Sequence, residues 1–446
     1  MSLLYPQAFR ARILHFTESP DSATGAGVEY FDDGILLLEN GRVKTLANAH
    51  ELIAAGFDAS QCQHFSDHLI IPGFIDSHIH YPQTDVIASY GTQLLDWLNN
   101  FTFPTELQFS DPEFAATAAE QFLQLLLENG TTTAMVYTTV FAQSTEAFFH
   151  AAAKKNLRMI AGKVMMDRNA PAGLLDTPES SARDCNLLID RWHKQGRLHY
   201  ALTPRFAPTS TPAQLKVTGD LYKTYPDLYL QTHLSENHQE IAWIKQLFPE
   251  ARDYLDVYDS FGLLGPRSVF GHGLHLSDTE LKRLSETQSS IAFCPTSNLF
   301  LGSGLLDVNR IEQAQVSLSI GTDVGGGTSF SLLRTLAEAY KVLQLQGQSL
   351  HPLKALYMAT LGNARALKLD SFIGNFETGK EADFVVLNLS PTPLQESRQR
   401  KASSLSETLF ALMTLGDEHN IARTYVMGKL AFSRAARAQG DLQWLI

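Results

Sequence analysis

The sequence predicts an α/β fold: a (β/α)8 TIM barrel over residues 68–369, with a small β-sandwich accessory domain assembled from both termini, 1–67 and 370–446. Three observations predict it. Strand-like apolar runs alternate with helical stretches through the middle of the chain, as in a parallel sheet with crossover helices. There are eight such runs. Both ends carry short strands and turns instead, and 446 residues leave room for one barrel and one small domain.

Taken in order, Gly34–Glu39, Asn40-Gly41 and Arg42–Leu46 read as a hairpin, because Asn-Gly tolerates the positive φ angles of a type I′ turn. Residues 1–67 otherwise show strands and turns rather than helices. The eight barrel strands fall near Leu69–Ser77, Thr131–Val136, Arg158–Met166, Leu198–Arg205, Leu228–Leu234, Ser268–Gly273, Ser290–Cys294 and Ser317–Gly321. Pro112–Asn129 is the clearest helix: Asp111 caps it, Pro112 fits its first turn and Gly130 ends it. Before it runs a long connection, Tyr81–Ser110, of the kind that forms binding loops or lids. Past the barrel, Glu381–Leu389 reads as a strand, and Ala422–Met427, Gly428 and Lys429–Phe432 as a hairpin. The polar stretch Ser390–Ser404 and a short amphipathic helix at Leu405–Leu415 separate them.

Composition narrows the function. The net charge is −12 and no Lys/Arg cluster is interleaved with aromatics, which argues against nucleic acid as a partner. Three scattered cysteines, Cys62, Cys185 and Cys294, give neither a disulfide framework nor a C-x-x-C clamp. No basic leader precedes an apolar core and no apolar run is long enough to span a bilayer, so a cytoplasmic protein with no membrane partner is expected.

Chemistry concentrates at strand ends. His78 and His80 are two apart on one strand and so point the same way. His233, His272 and Asp323 end or follow other strands, on the face where barrel active sites lie. Each has a bland reading. Among 15 histidines a His-x-His pair arises by accident, His233 alone fits a core, His272 between glycines fits a loop, and Asp323 fits an N-cap. Their joint placement favours a metal centre, and imidazoles plus a carboxylate suit Zn²⁺. The Gly325-Gly326-Gly327 run lacks the Lys-Ser/Thr ending of a phosphate cradle.

Ile71-Pro72-Gly73-Phe74-Ile75-Asp76-Ser77-His78-Ile79-His80 resembles the first-strand motif of the amidohydrolase superfamily, and the β-rich termini resemble its accessory domain. Tyr81-Pro82-Gln83, Phe101-Thr102-Phe103-Pro104-Thr105-Glu106 and Pro204-Arg205-Phe206 narrow the resemblance to the guanine deaminases. It implies one zinc on His78, His80, His233 and Asp323, activating a water for attack on C2 of a purine. Glu236 would supply the proton at N3, Asp323 would also take the proton of the water, and His272 would hydrogen-bond that water. His80, Gln83, Arg205, Phe206, His233, Glu236 and Asp323 would contact the substrate, with Arg205 donating to O6. Outside that resemblance, Arg205, Gln83, Phe206 and Glu236 read as an ion-paired Arg, a loop Gln, a core Phe and a helix-start Glu. Lys163 is expected as a structural amine, and Trp97 as pocket wall or core. The resemblance implies a homodimer. Other readings are an amidohydrolase for a different aminated or chlorinated heterocycle, such as 8-oxoguanine or an s-triazine, and a non-catalytic scaffold.

Overall fold

The computed structural model describes residues 7–21, 23–91 and 93–438. Strands β1 (Gln7–Phe16), β2 (Val28–Glu39), β3 (Arg42–Asn48) and β4 (Cys62–Pro72) open the chain. The barrel strands follow: β5 (Phe74–His80), β6 (Thr131–Tyr137), β7 (Arg158–Gly162), β8 (Val164–Met165), β9 (His199–Pro204), β10 (Tyr229–Leu234), β11 (Ser268–His272), β12 (Ser290–Phe293) and β13 (Ser317–Ile320). Strands β14 (Phe384–Asn388), β15 (Ile421–Val426) and β16 (Lys429–Ser433) return to the first group.

The barrel sheet runs β5-β6-β7-β9-β10-β11-β12-β13, all parallel, with β8 beside β9. No ladder joins β13 to β5. The seam is closed instead by Asp323 N donating to His78 O and His80 N donating to Val324 O, each at 2.9 Å. Deeper down, the buried Asn363 amide donates to Ile75 O (2.6 Å) and Ile320 O (2.8 Å), and its oxygen accepts from Ile320 N (2.8 Å). A side chain here stands in for missing strand pairing. Ile75, Met135, Ile160, Ala201, Tyr229, Val269 and Ala292, one from each of seven strands, plug the lower interior. Each buried side chain of Val, Ile or Met size contributes about 1.5–3 kcal/mol.

The other seven strands form one sheet, β16-β15-β14-β4-β1-β2-β3, antiparallel except for the β1/β4 pair. The expected β-sandwich is therefore a single continuous sheet. It wraps a core of its own that includes Phe9, Leu36, Val43, Phe384, Val386 and Tyr425. The β2/β3 turn has Asn40 at φ 54° and Gly41 at φ 76°, which is why Asn-Gly stands there.

Several expectations need correction. The first barrel strand is not Leu69–Ser77: an apolar run crosses Gly73, but its first half lies in β4 of the outer sheet and its second half in β5. A Cβ at Gly73 would sit 2.2 Å from Thr132 Oγ1, so the chain turns where only glycine fits. Strand β4 thus continues past the join expected at 67/68. Residues 1–67 include a short helix, Ala49–Ala54, and the polar stretch Ser390–Ser404 contains the helix Pro393–Gln399. The third strand breaks at Lys163 into β7 and β8. Helix Pro112–Glu128 matches expectation, with the Asp111 side chain accepting from Glu113 N.

At the N-terminal ends of the strands, charges tie barrel to outer sheet. Glu381 accepts from Arg158 (Nε 2.8 Å, a second bond at 2.5 Å) and from Arg197 (Nε 3.0 Å, a second bond at 2.8 Å). Arg197 also pairs with Asp383. All four side chains are buried. No helix among the described residues is long and apolar enough to cross a membrane.

Candidate metal centre and its pocket

At the opposite mouth the five predicted donors meet. Ligand atoms of His78, His233, His272 and Asp323 lie within 4.8 Å of one another. His80 joins them: its Nε2 is 3.3 Å from Asp323 Oδ1 and 3.2 Å from His233 Nε2. His78 Nε2 is also 3.3 Å from Asp323 Oδ1. Period-two alternation puts both rings of β5 inward, while β10, β11 and the residues after β13 bring the rest. Gly271 permits the approach, since a Cβ there would sit 2.5 Å from His78 Cε1. Ser235, His272 and Asp323 hold φ angles of 48°, 72° and 52°, conformations that cost non-glycine residues energy and gather at functional sites.

The donors are set for a cation. His233 Nδ1 lies 2.6 Å from Arg205 O, which turns Nε2 inward. His272 Nδ1 lies 2.8 Å from Asn298 Oδ1, which turns its Nε2 toward Glu236 and Asp323. Burial lowers the pKa of His80 to about 3 and that of His233 well below the ordinary value, so both rings are neutral, the form that binds metal. Burial would raise the Asp323 carboxyl, but the His78, His80 and His272 rings outweigh it and hold it ionised. His78 Nε2, His80 Nδ1 and His272 Nε2 are buried and lack a hydrogen-bond partner among the described residues. Buried polar atoms are seldom left so without a ligand to take them. This donor set fits a borderline divalent ion. Tyr137 underlies the group, its ring stacked on His80 at 4.4 Å and 4.9 Å from those of His78 and His233.

Glu236 faces the same space. Its Oε1 accepts from Ser303 Oγ at 2.9 Å, and Oε2 is 3.3 Å from His272 Nε2. Burial, then the nearby Asp323 charge, raises its pKa to about 8. Its backbone N donates to Glu240 Oε2 at 3.0 Å, so the box capping helix His238–Leu247 also fixes the catalytic candidate.

A pocket opens beside these groups. Gln83, Leu94, Trp97, Leu98, Phe206 and Leu301 line it with Arg205. Trp97 is thus both buried and part of the wall. Gln83 Oε1 accepts from Gly325 N at 3.0 Å. Lys163 stays away from the cluster, wholly buried and paired with Asp176. Arg205 lines the cavity and is also ion-paired. It is no free cation, because NH1 donates to both oxygens of Glu106 at 2.7 and 2.9 Å. Glu106, Asn298, Ser303, Glu240 and Tyr137 carry no role in the sequence reading. Glu106 stands inside a motif quoted above, but the partners of Glu106 and Asn298 lie 99 and 26 residues away and no local signal pairs them.

The sequence pattern of the Amidohydrolase family matches residues 69–431. Guanine deaminase of Escherichia coli K12 is 51% identical over 96% of this chain and 98% of its own. The chain belongs to the amidohydrolase family, on its guanine deaminase branch. Human guanine deaminase is 34% identical over 84% of this chain and 85% of its own. Among solved structures, the E. coli guanine deaminase superposes with a TM-score of 0.93 at 50% identity, covering 96% of this chain and 100% of that one. Guanine deaminase from C. acetobutylicum, solved with guanine bound in its active site, gives 0.86 at 29% identity, covering 96% and 100%. In this amidohydrolase the barrel mouth holds the His/Asp group and the outer sheet stands apart from it.

Proposed function

We propose that this enzyme hydrolyses guanine to xanthine and ammonia, with one zinc held by His78, His80, His233 and Asp323. The observation that carries the reading is a pair of carboxyls, Glu236 and Asp323, buried in one pocket beside the imidazole cluster. Glu236 is raised to about 8 and keeps its proton at neutral pH, while Asp323 is held ionised. Environments that push two carboxyls apart in this way mark the acid and the base.

When bound, the zinc supplies a water acidic enough to lose a proton at neutral pH. Asp323 accepts that proton, and His272 Nε2, aimed by Asn298, hydrogen-bonds the attacking oxygen. Glu236 delivers its proton to N3, which absorbs the charge that develops as C2 is attacked. The proton taken from water then leaves with the exocyclic amine, and the hydroxyl proton at C2 passes to Glu236 as the carbonyl forms, so guanine and water yield xanthine and ammonia and Glu236 is protonated again. Arg205 donates to O6, Phe206 lies against the ring face, and Gln83 reads the purine edge. An amine at position 6, as in adenine, meets the guanidinium donor to donor and is rejected.

The test is incubation of metal-loaded enzyme with guanine, following the fall of its ultraviolet band and ammonia release. Guanine, 8-oxoguanine and an s-triazine are compared for wild type and Arg205→Ala. Guanine is expected to lead in the wild type and to lose that lead in the variant. No turnover of guanine by the loaded enzyme would sink the proposal.

A further inference from the structure

The geometry points to Glu106 as a specificity-determining residue that cancels the charge of Arg205, so that the pocket selects a neutral carbonyl acceptor over an anionic one. The inference rests on the reading that this pocket takes an oxopurine. Arg205 is buried, lines the cavity and carries the charge of a guanidinium. Left alone, such a group would attract anions most strongly. Glu106 is wholly buried and sits behind Arg205, outside the cavity lining, with both oxygens on NH1. The centre of the Phe103 ring lies 5.4 Å from the guanidinium carbon. Both residues belong to the short helix Phe103–Glu106 of the long connection after β5. That connection therefore does more than cover the pocket. It holds the guanidinium at NH1 and leaves the remaining N–H groups as donors of an ion pair that carries no net charge.

The consequence concerns the product. Replacing the amine by a carbonyl places an N–H between two carbonyls, which makes xanthine more acidic than guanine. A pocket with an uncompensated Arg205 would hold the product anion against release. With Glu106 in place, substrate and product are distinguished by charge as well as by shape.

Two probes separate charge from fit. Hypoxanthine offers a neutral carbonyl at position 6 and no amine to lose, whereas purine-6-carboxylate offers an anion there. Their dissociation constants are measured by calorimetry at pH 7.5 on the metal-loaded enzyme. Wild type is expected to bind hypoxanthine more tightly; preference for the carboxylate would overturn the inference without any variant. Glu106→Gln keeps an oxygen to accept from Arg205 and removes the charge. It is expected to move the ratio at least about tenfold toward the carboxylate and to tighten xanthine, while Glu106→Asp restores the wild-type ratio. A folded Glu106→Gln protein with an unchanged ratio refutes the idea. Because binding is read, failure of guanine turnover in the wild type refutes the proposed reaction separately.

Discussion

The two ends of the barrel bury polar groups in opposite ways. At the N-terminal end, Arg158, Arg197, Glu381 and Asp383 saturate one another, with each Glu381 oxygen meeting a guanidinium. At the C-terminal end, imidazole nitrogens of His78, His80 and His272 have no hydrogen-bond partner, and three neighbouring residues sit in left-handed backbone. Burial is equal, so it does not separate structure from function. Completion does: a cluster that satisfies itself holds the fold, while one that leaves its donors unmatched is arranged for something else.

The contrast breaks most plainly at Asp323. Asp323→Asn removes a metal donor and a proton acceptor together. Turnover should fall by about 10⁴-fold or more and metal content should drop, with a loss of thermal stability no larger than chelation causes in the wild type. An active, metal-loaded variant would erase the distinction between the ends. Next, Glu236→Gln should lose about 10²–10⁴-fold in kcat while retaining its metal by elemental analysis; loss of the metal would make Glu236 a ligand rather than an acid.

At the other end the effect should move to stability. Glu381→Gln leaves two buried guanidinium groups short of charge and should cost about 3–5 kcal/mol in urea unfolding. The kcat of the folded fraction should be unchanged. A variant as stable as wild type would show that this network holds nothing. The smallest effect is the pH profile. The Glu236 carboxyl, raised to about 8, keeps its proton below that pH and loses it above. A bound cation pulls the same group down, so kcat/KM should fall about tenfold per unit beyond a limb at or below pH 8. A profile flat to pH 10 would contradict the assignment.

How far the sequence revealed this follows from what each signal depends on. His78 and His80 were legible because alternation is local, and His233, His272 and Asp323 because each ends an apolar run. The hairpin at Asn40-Gly41 and the helix after Asp111 were legible for the same reason. Glu106 was not, since an acidic residue on a loop gains meaning only from Arg205, 99 residues on. Nor was the break at Gly73: the run Leu69–Ile75 is apolar on both sides, and both halves are buried, though in different sheets. Ser303 and Asn298 orient their partners from loops and helices that carry no periodic signal.

The Asn363 seam has a bearing on how the molecule comes apart. His78 and His80 stand on one side of that junction and Asp323 on the other, so an ion held as proposed would fasten the first stave of the cask to the last. Demetallation would then leave that junction to the Asn363 amide and two backbone bonds, and a chelator would act as a heat sensitiser as well as an inhibitor.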